Sequence, residues 1–192
     1  RHVIFSQRKD AIYSKEIFSY SEEFLNEIND DLVQLKLKKD ANPKSSEFEN
    51  KIKTLMGKNF QQSQLSELFK MNNKEIKQKI IDQFEDSRNE RIKALGKEQS
   101  QEIEKRILLQ SIDLNWKSHI QYLEQLRQVI GLRSYGQRDP LVEYKKEAFD
   151  LFSNLLDKLK SDYVTILMNL KVVEKKNEQE NFKKSADILN NP

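Results

Sequence analysis

The chain has 192 residues, of which 36% are hydrophobic and 34% charged, with four glycines, three prolines and no cysteine. That balance describes elongated helices with wide solvated faces rather than a compact α/β enzyme, and the lack of cysteine excludes disulfide scaffolding, thiol catalysis and Cys-based zinc sites. The 34 basic and 31 acidic residues leave a net charge of only +3, too even for a dense one-sided nucleic-acid footprint, and the sequence holds neither a long apolar run of membrane-spanning length nor an amino-terminal signal-peptide core.

Residues 1–19 carry Val3, Ile4, Ile12 and Phe18 among charges and read as the end of a long helix. Ser21-Glu22-Glu23 has the form of an N-cap followed by first-turn acids, which predicts a new helix from there to about Leu37. Residues 38–46, KKDANPKSS, form the clearest linker, because Pro43 disfavours helix at Asn42 and the paired serines break periodicity. A short helix over 48–56 is expected to stop at Gly57, and a second follows over 63–69. Asn72-Asn73 then turns into a helix over 74–95, carried by Ile76, Ile80, Ile81, Phe84 and Ile92, with Gly96 as the expected bend before a long arm that begins near Gln99.

In that arm Leu108, Ile112, Trp116, Ile120, Leu123, Leu126 and Ile130 recur at steps of three and four, which keeps one helical face apolar. Tyr144, Ala148, Phe152, Leu155, Leu159, Tyr163, Ile166 and Leu170 do the same in a second arm. Between them Gly131 suits the left-handed position after a helix, and Asp139-Pro140 offers an N-cap oxygen and a preset first-turn dihedral, so residues 132–138 should form the loop of an αα-hairpin. After Val173 the composition turns polar, predicting a disordered or fraying tail over 173–192. Strand-like alternation is confined to a short ambiguous bit at 32–37, and an all-α fold follows.

The run LLQSIDLNWKSHIQYLEQLRQVIGLRSYGQRDPLVEYKKEAFDLF, residues 108–152, resembles the carboxy-terminal helical part of the SecA family, the motor ATPases of bacterial protein export. The likeness joins Trp-Lys-x-His and Leu-Arg-Gln patterns before the loop, Leu-Arg-x-Tyr-x-Gln-Arg-Asp-Pro within it, and Glu-Tyr-Lys-x-Glu-x-Phe after it, in order and without gaps. RHVIFSQR at residues 1–8 is similar to the end of the long helix in the family's scaffold domain, while 48–69 and 75–91 follow its helical wing only in pattern. The resemblance implies an elongated helical scaffold with a two-helix finger and a small helical wing. On that division residues 1–20 end a long scaffold helix, 21–96 form the wing, 97–172 the finger and 173–192 a polar tail. Because it begins at Arg1, in what reads as mid-helix, the chain is expected to be a piece of a longer protein.

By the same resemblance Tyr135 stands at the finger tip, where it would touch the translocating preprotein in the mouth of the SecYEG channel, with Arg133, Ser134, Gln137 and Arg138 beside it. The implied partners are SecYEG, the preprotein with its signal peptide, the parent's nucleotide-binding domains and a second copy of the chain, with no nucleic acid. The implied location is cytoplasmic and peripheral at the inner membrane. ATP and magnesium belong to the parent, and this stretch is expected to hold no catalytic, cofactor or metal site and to have no enzymatic activity of its own. The family's usual Gly-Tyr-Ala reads Ser134-Tyr135-Gly136 here, which keeps the aromatic at the tip and leaves the path of the loop backbone open.

Read as residues alone, the chain has no GxxxxGK[ST], HExxH or GxSxG motif. His119 is one of two histidines and reads as a packed side chain, since no second ligand lies at helical spacing. Trp116, Ile112, Leu123 and Phe152 are read as the core of the finger, with Trp116 buried against the first segment of the chain. Arg127, Arg133, Arg138, Lys145 and Lys146 around Tyr135 fit either a contact element or a solvated charge run. The alternative to a translocation module is a stand-alone helical protein, either a coiled-coil adaptor or a nucleic-acid binder that sets Arg133, Arg138, Lys145 and Lys146 on phosphates.

Overall fold

A computed structural model of the chain describes residues 1–172, apart from residues 15, 42–45, 58–59 and 137–138. The Pro43 part of the expected linker and the expected polar tail, 173–192, lie outside the described residues. Those residues are all-α, with no strand among them. In chain order the helices are α1 (His2–Tyr13), α2 (Ile17–Ala41), α3 (Glu47–Met56), α4 (Gln62–Lys70), α5 (Asn73–Leu95), α6 (Lys97–Val129) and α7 (Pro140–Asn169), with a 3₁₀ turn at Ile130–Gly136 between the last two.

The first break falls earlier than the sequence suggests. Ser14 closes α1 in an extended conformation, and its Oγ accepts a hydrogen bond from the Glu16 amide at 3.1 Å. Ser21, expected as an N-cap, instead lies inside α2, fully buried, with its hydroxyl oxygen 2.9 Å from the Phe18 carbonyl. The reason is the apolar stripe of Ile17, Phe24, Leu25, Ile28 and Leu32, which needs the helix to run through Ser21 to reach its partners. α2 also runs four residues further than the expected Leu37, into the linker as far as Ala41.

Other punctuation follows local chemistry. Asn72 accepts from the amides of Lys74 and Glu75 while Glu75 returns a bond to the Asn72 amide, a reciprocal cap that starts α5. Gly57 ends α3 at φ 80°, and a Cβ there would sit 1.9 Å from the Asn169 side-chain oxygen. Asn169 donates to the Leu55 carbonyl at 3.0 Å, so the end of α7 is stitched onto the end of α3. Gly96 separates α5 from α6 at φ 86°, as expected for a bend.

α2 and α7 run through the middle of the assembly, with α3 and α5 packed on both of them, α6 on both as well, and α1 on α6. Their buried side chains join one apolar cluster: Ile4 and Ala11 of α1, Leu25 and Leu32 of α2, Phe48 of α3, Leu65 of α4, Phe84 of α5, Ile112 of α6 and Leu159 of α7 all belong to it. α7 is 30 residues long, about 45 Å at 1.5 Å per residue, but its buried positions begin only at Leu155. The first half of α7 therefore lies beyond the core, alongside α6.

Candidate functional site

The free end of the α6/α7 hairpin is built by three local devices. Asp139 accepts from the Leu141 amide at 2.8 Å, and Pro140 supplies the first-turn dihedral, so α7 starts as its sequence requires. The turn itself departs from expectation. α6 does not end in a left-handed glycine; Gly131 continues into the 3₁₀ turn that runs to Gly136, and the space around its Cα is open. Tightening to i→i+3 bonds satisfies the last carbonyls of α6 without a left-handed residue.

Arg133 is the third device. Its guanidinium donates to Glu143 at 2.8 Å and pairs with Glu147 as well, tying the turn to the first two turns of α7. Both carboxylates hold its pKa above the ordinary arginine value, the Glu143 hydrogen bond most strongly. An arginine held in this way is a brace, which weakens its candidacy as a free phosphate contact. Of Ser134, Tyr135 and Gly136 only the backbone is described, within the 3₁₀ turn, and Gln137 and Arg138 lie outside the described residues.

Behind the tip, the expected finger core is graded. Ile112 is buried, while Trp116 and Phe152 are partly buried and packed against the core, and Leu123 is half-buried. His119 is more deeply enclosed than its aromatic neighbours, at 5% exposure, with its ring 5.5 Å from Trp116 and 5.9 Å from Phe152. Burial lowers its pKa below the usual histidine value. Trp116 shares a surface depression with Arg1 at the start of α1, on the side where the sequence reading placed its partner. A second depression, lined by Ser118, Tyr122, Leu151 and Asn154, opens on the other side of His119, between α6 and α7.

One group of residues was missed at the level of sequence. Glu104 of α6 is fully buried, with Arg88 at 3.2 Å and Arg91 at 3.0 Å, both from α5. Ser21 of α2 bonds Glu104 at 2.9 Å and Arg88 at 2.6 Å, and Arg91 donates to the Leu167 carbonyl of α7 at 2.7 Å. Arg88 also lies over the Phe18 ring at 4.3 Å. Four helices thus meet at one charged knot. Tyr163 is buried nearby, and its burial, with Glu104, pushes the phenol pKa up. The signal was legible in part: Arg88 and Arg91 continue the α5 stripe of Ile76, Ile80 and Phe84, and Glu104 lies four residues before Leu108 on the α6 stripe. Charges at stripe positions are either register errors or buried pairs. Among the described residues no group of three or more His, Cys, Asp or Glu side chains could hold a metal ion.

A family model described as the SecA wing and scaffold domain matches residues 1–171. The chain is 56% identical over 192 residues to the protein translocase subunit SecA of Pelagibacter ubique (strain HTCC1062), an alignment that covers 100% of this chain and 22% of that protein. It is 34% identical over 175 residues to the protein translocase subunit SecA of Caulobacter vibrioides (strain ATCC 19089 / CIP 103742 / CB 15), covering 90% of this chain and 19% of that protein. The SecA of Halothermothrix orenii (strain H 168 / OCM 544 / DSM 9562) is 29% identical over 175 residues, covering 91% and 21%. The chain spans about a fifth of the length of the curated relatives it matches.

Proposed function

The chain belongs to the SecA wing and scaffold family, and from that membership we propose that its α6/α7 finger presents Tyr135 to a translocating preprotein at the mouth of the SecYEG channel. The observation that carries the reading is that Leu132-Arg133-Ser134-Tyr135-Gly136, with Asp139-Pro140 opening α7, lies at the turn of a hairpin whose first stretch of α7 reaches past the core. A tyrosine suits the task because its flat amphipathic ring presses on varied side chains and backbone without demanding a sequence. In this reading the scaffold helices transmit movement from ATP-hydrolysing nucleotide-binding domains in the longer protein. ATP and magnesium belong there. The assembly works from the cytoplasm, peripheral at the inner membrane, with a second copy of the protein as a further partner.

The division of labour at the tip is specific. Ser134, Gln137 and Arg138 flank the tyrosine, and Arg138 contributes a salt-sensitive contact to the channel, as rim charges do. Arg133 holds the turn on α7 through Glu143 and Glu147, so it positions Tyr135 more than it touches the partner. The test is preprotein transport into reconstituted vesicles by the full-length protein. Tyr135→Ala should cripple transport, with folding and basal ATP hydrolysis nearly intact, while Tyr135→Phe should retain most of it because the ring supplies the contact area. Wild-type transport by the alanine variant removes Tyr135 from the mechanism.

A further inference from the structure

The charged knot around Glu104 straddles a one-residue break between two long helices. α5 ends at Leu95 and α6 begins at Lys97, so the two meet through Gly96 alone, at φ 86° and with open space where a side chain would stand. The Gly96 amide donates back to the Ile92 carbonyl, and its own carbonyl accepts from the Ser100 amide. Those bonds close each helix end and leave the angle between the helices free.

What crosses the joint is the knot. Arg88 stands eight residues before Gly96 and Glu104 eight after, and the guanidinium groups of Arg88 and Arg91 reach the same carboxylate. The two arginines extend the tie to two further helices. Arg88 donates to Glu22 at 2.7 Å and to Ser21 at 2.6 Å on α2, while Arg91 donates to the Leu167 carbonyl at 2.7 Å, with the Ser87 hydroxyl 3.2 Å from the same oxygen. Leu167 lies in the last turn of α7, where carbonyls have no partner within the helix, so α5 caps the end of α7 from the side.

As a source of stability this arrangement is poor. Two arginines share one buried carboxylate, the second carboxylate, Glu22, has a side chain 59% exposed, and Arg91 Nε makes no hydrogen bond among the described residues. Buried charges of this kind gain little over apolar residues of the same volume. What they supply is direction. The apolar contacts of α5, through Ile76, Ile80 and Phe84, are non-directional and tolerate small shifts of one helix over another, whereas the bonds of the knot weaken steeply as their angles open.

We propose that Arg88 and Arg91 are positioning residues that lock α5 to α6 across the Gly96 joint, so that the α3–α5 part and the finger keep one angle while movement passes through the molecule. The inference rests on the reading of these helices as transmitters of movement.

The test measures that angle. Because the chain lacks cysteine, spin labels on Lys74→Cys and Gln121→Cys, both exposed, report the distance from the start of α5 to α6 in the 192-residue chain. α5 has 23 residues, about 35 Å at 1.5 Å per residue, so a tilt of about 10° at Gly96 moves its start by about 6 Å. The wild type should give one narrow distance distribution. Arg88→Met/Arg91→Met/Glu104→Leu should shift or widen it by several ångströms with helical content and thermal midpoint retained; a folded triple variant with the wild-type distribution overturns the proposal. Should the triple variant fail to fold, Arg88→Lys/Arg91→Lys decides by the same readout, since it keeps the charges and loses the fork geometry: a widened distribution supports the lock and an unchanged one overturns it. In the full-length protein the folded variant should transport several-fold less preprotein per ATP hydrolysed, and an altered distance with wild-type transport per ATP also overturns the proposal. The label distance needs neither channel nor preprotein, and Tyr135→Ala should leave it unchanged, so failure of the joint and failure of the Tyr135 reading are told apart.

Discussion

Glu104 shows how a single charged side chain organises this molecule. It is fully buried, accepts from two arginines and from Ser21, and links α5 and α6 to α2. Removing Glu104 leaves Arg91 with no carboxylate partner among the described residues, and Arg88 with only Glu22 at 2.7 Å, in a poorly solvated site. Glu104→Ala should therefore lower the unfolding free energy by about 3–5 kcal/mol, read from urea denaturation. Replacing Arg88, Arg91 and Glu104 together by apolar residues of similar volume should cost far less, since the desolvation penalty goes with the charges. An equal loss in both variants would assign the stability to packing volume. The knot also corrects the stripe on α6. By apolarity the stripe runs through Trp116 and Ile120, yet Asn115 and His119 are the buried pair. Asn115 tolerates burial because its amide donates to the Ser111 carbonyl at 3.0 Å and to Asp162 at 3.1 Å, partners that sequence alone does not display.

At the scale of elements, the termini decide what the finger can present. α7 depends on Asp139 for its first turn, and Asp139→Ala should cost about 1 kcal/mol of stability, measured by thermal or urea unfolding. Hydrogen exchange should speed up in the first turns of α7, and exchange unchanged there would mean that Arg133 and its two glutamates alone hold the turn. Helix ends were readable wherever the signal was strictly local. Asn72 with Glu75, Gly57, Gly96 and Asp139-Pro140 all act where the sequence places them. They were misread where the local signal was not the deciding one: Ser21 with its following acids reads as a cap but lies inside α2, and Gly131 reads as a left-handed stop but continues into a 3₁₀ turn. In the first case burial of the α2 stripe against its neighbours outweighed a cap worth about 1 kcal/mol.

On the scale of the whole molecule, α2 and α7 thread one continuous core, to which helices from the expected scaffold, wing and finger stretches all contribute. Urea should accordingly unfold the described part in one transition, with Trp116 fluorescence and helical circular dichroism coincident; two separated transitions would mean that the α3–α5 part is an independent unit. The sequence by itself determined the helical class, the two long arms, the hairpin at Asp139-Pro140 and the family resemblance, because periodicity, caps and motif order are properties of neighbouring residues. Only the tertiary structure decided that Arg88, Arg91 and Glu104 are interior, that Arg133 braces the turn, and that the α7 face is covered beyond Leu155 but bare from Leu141 to Phe149. The physical reason is that burial and pairing depend on which helices meet, and those meetings join residues tens of positions apart whose contacts leave no local period in the chain.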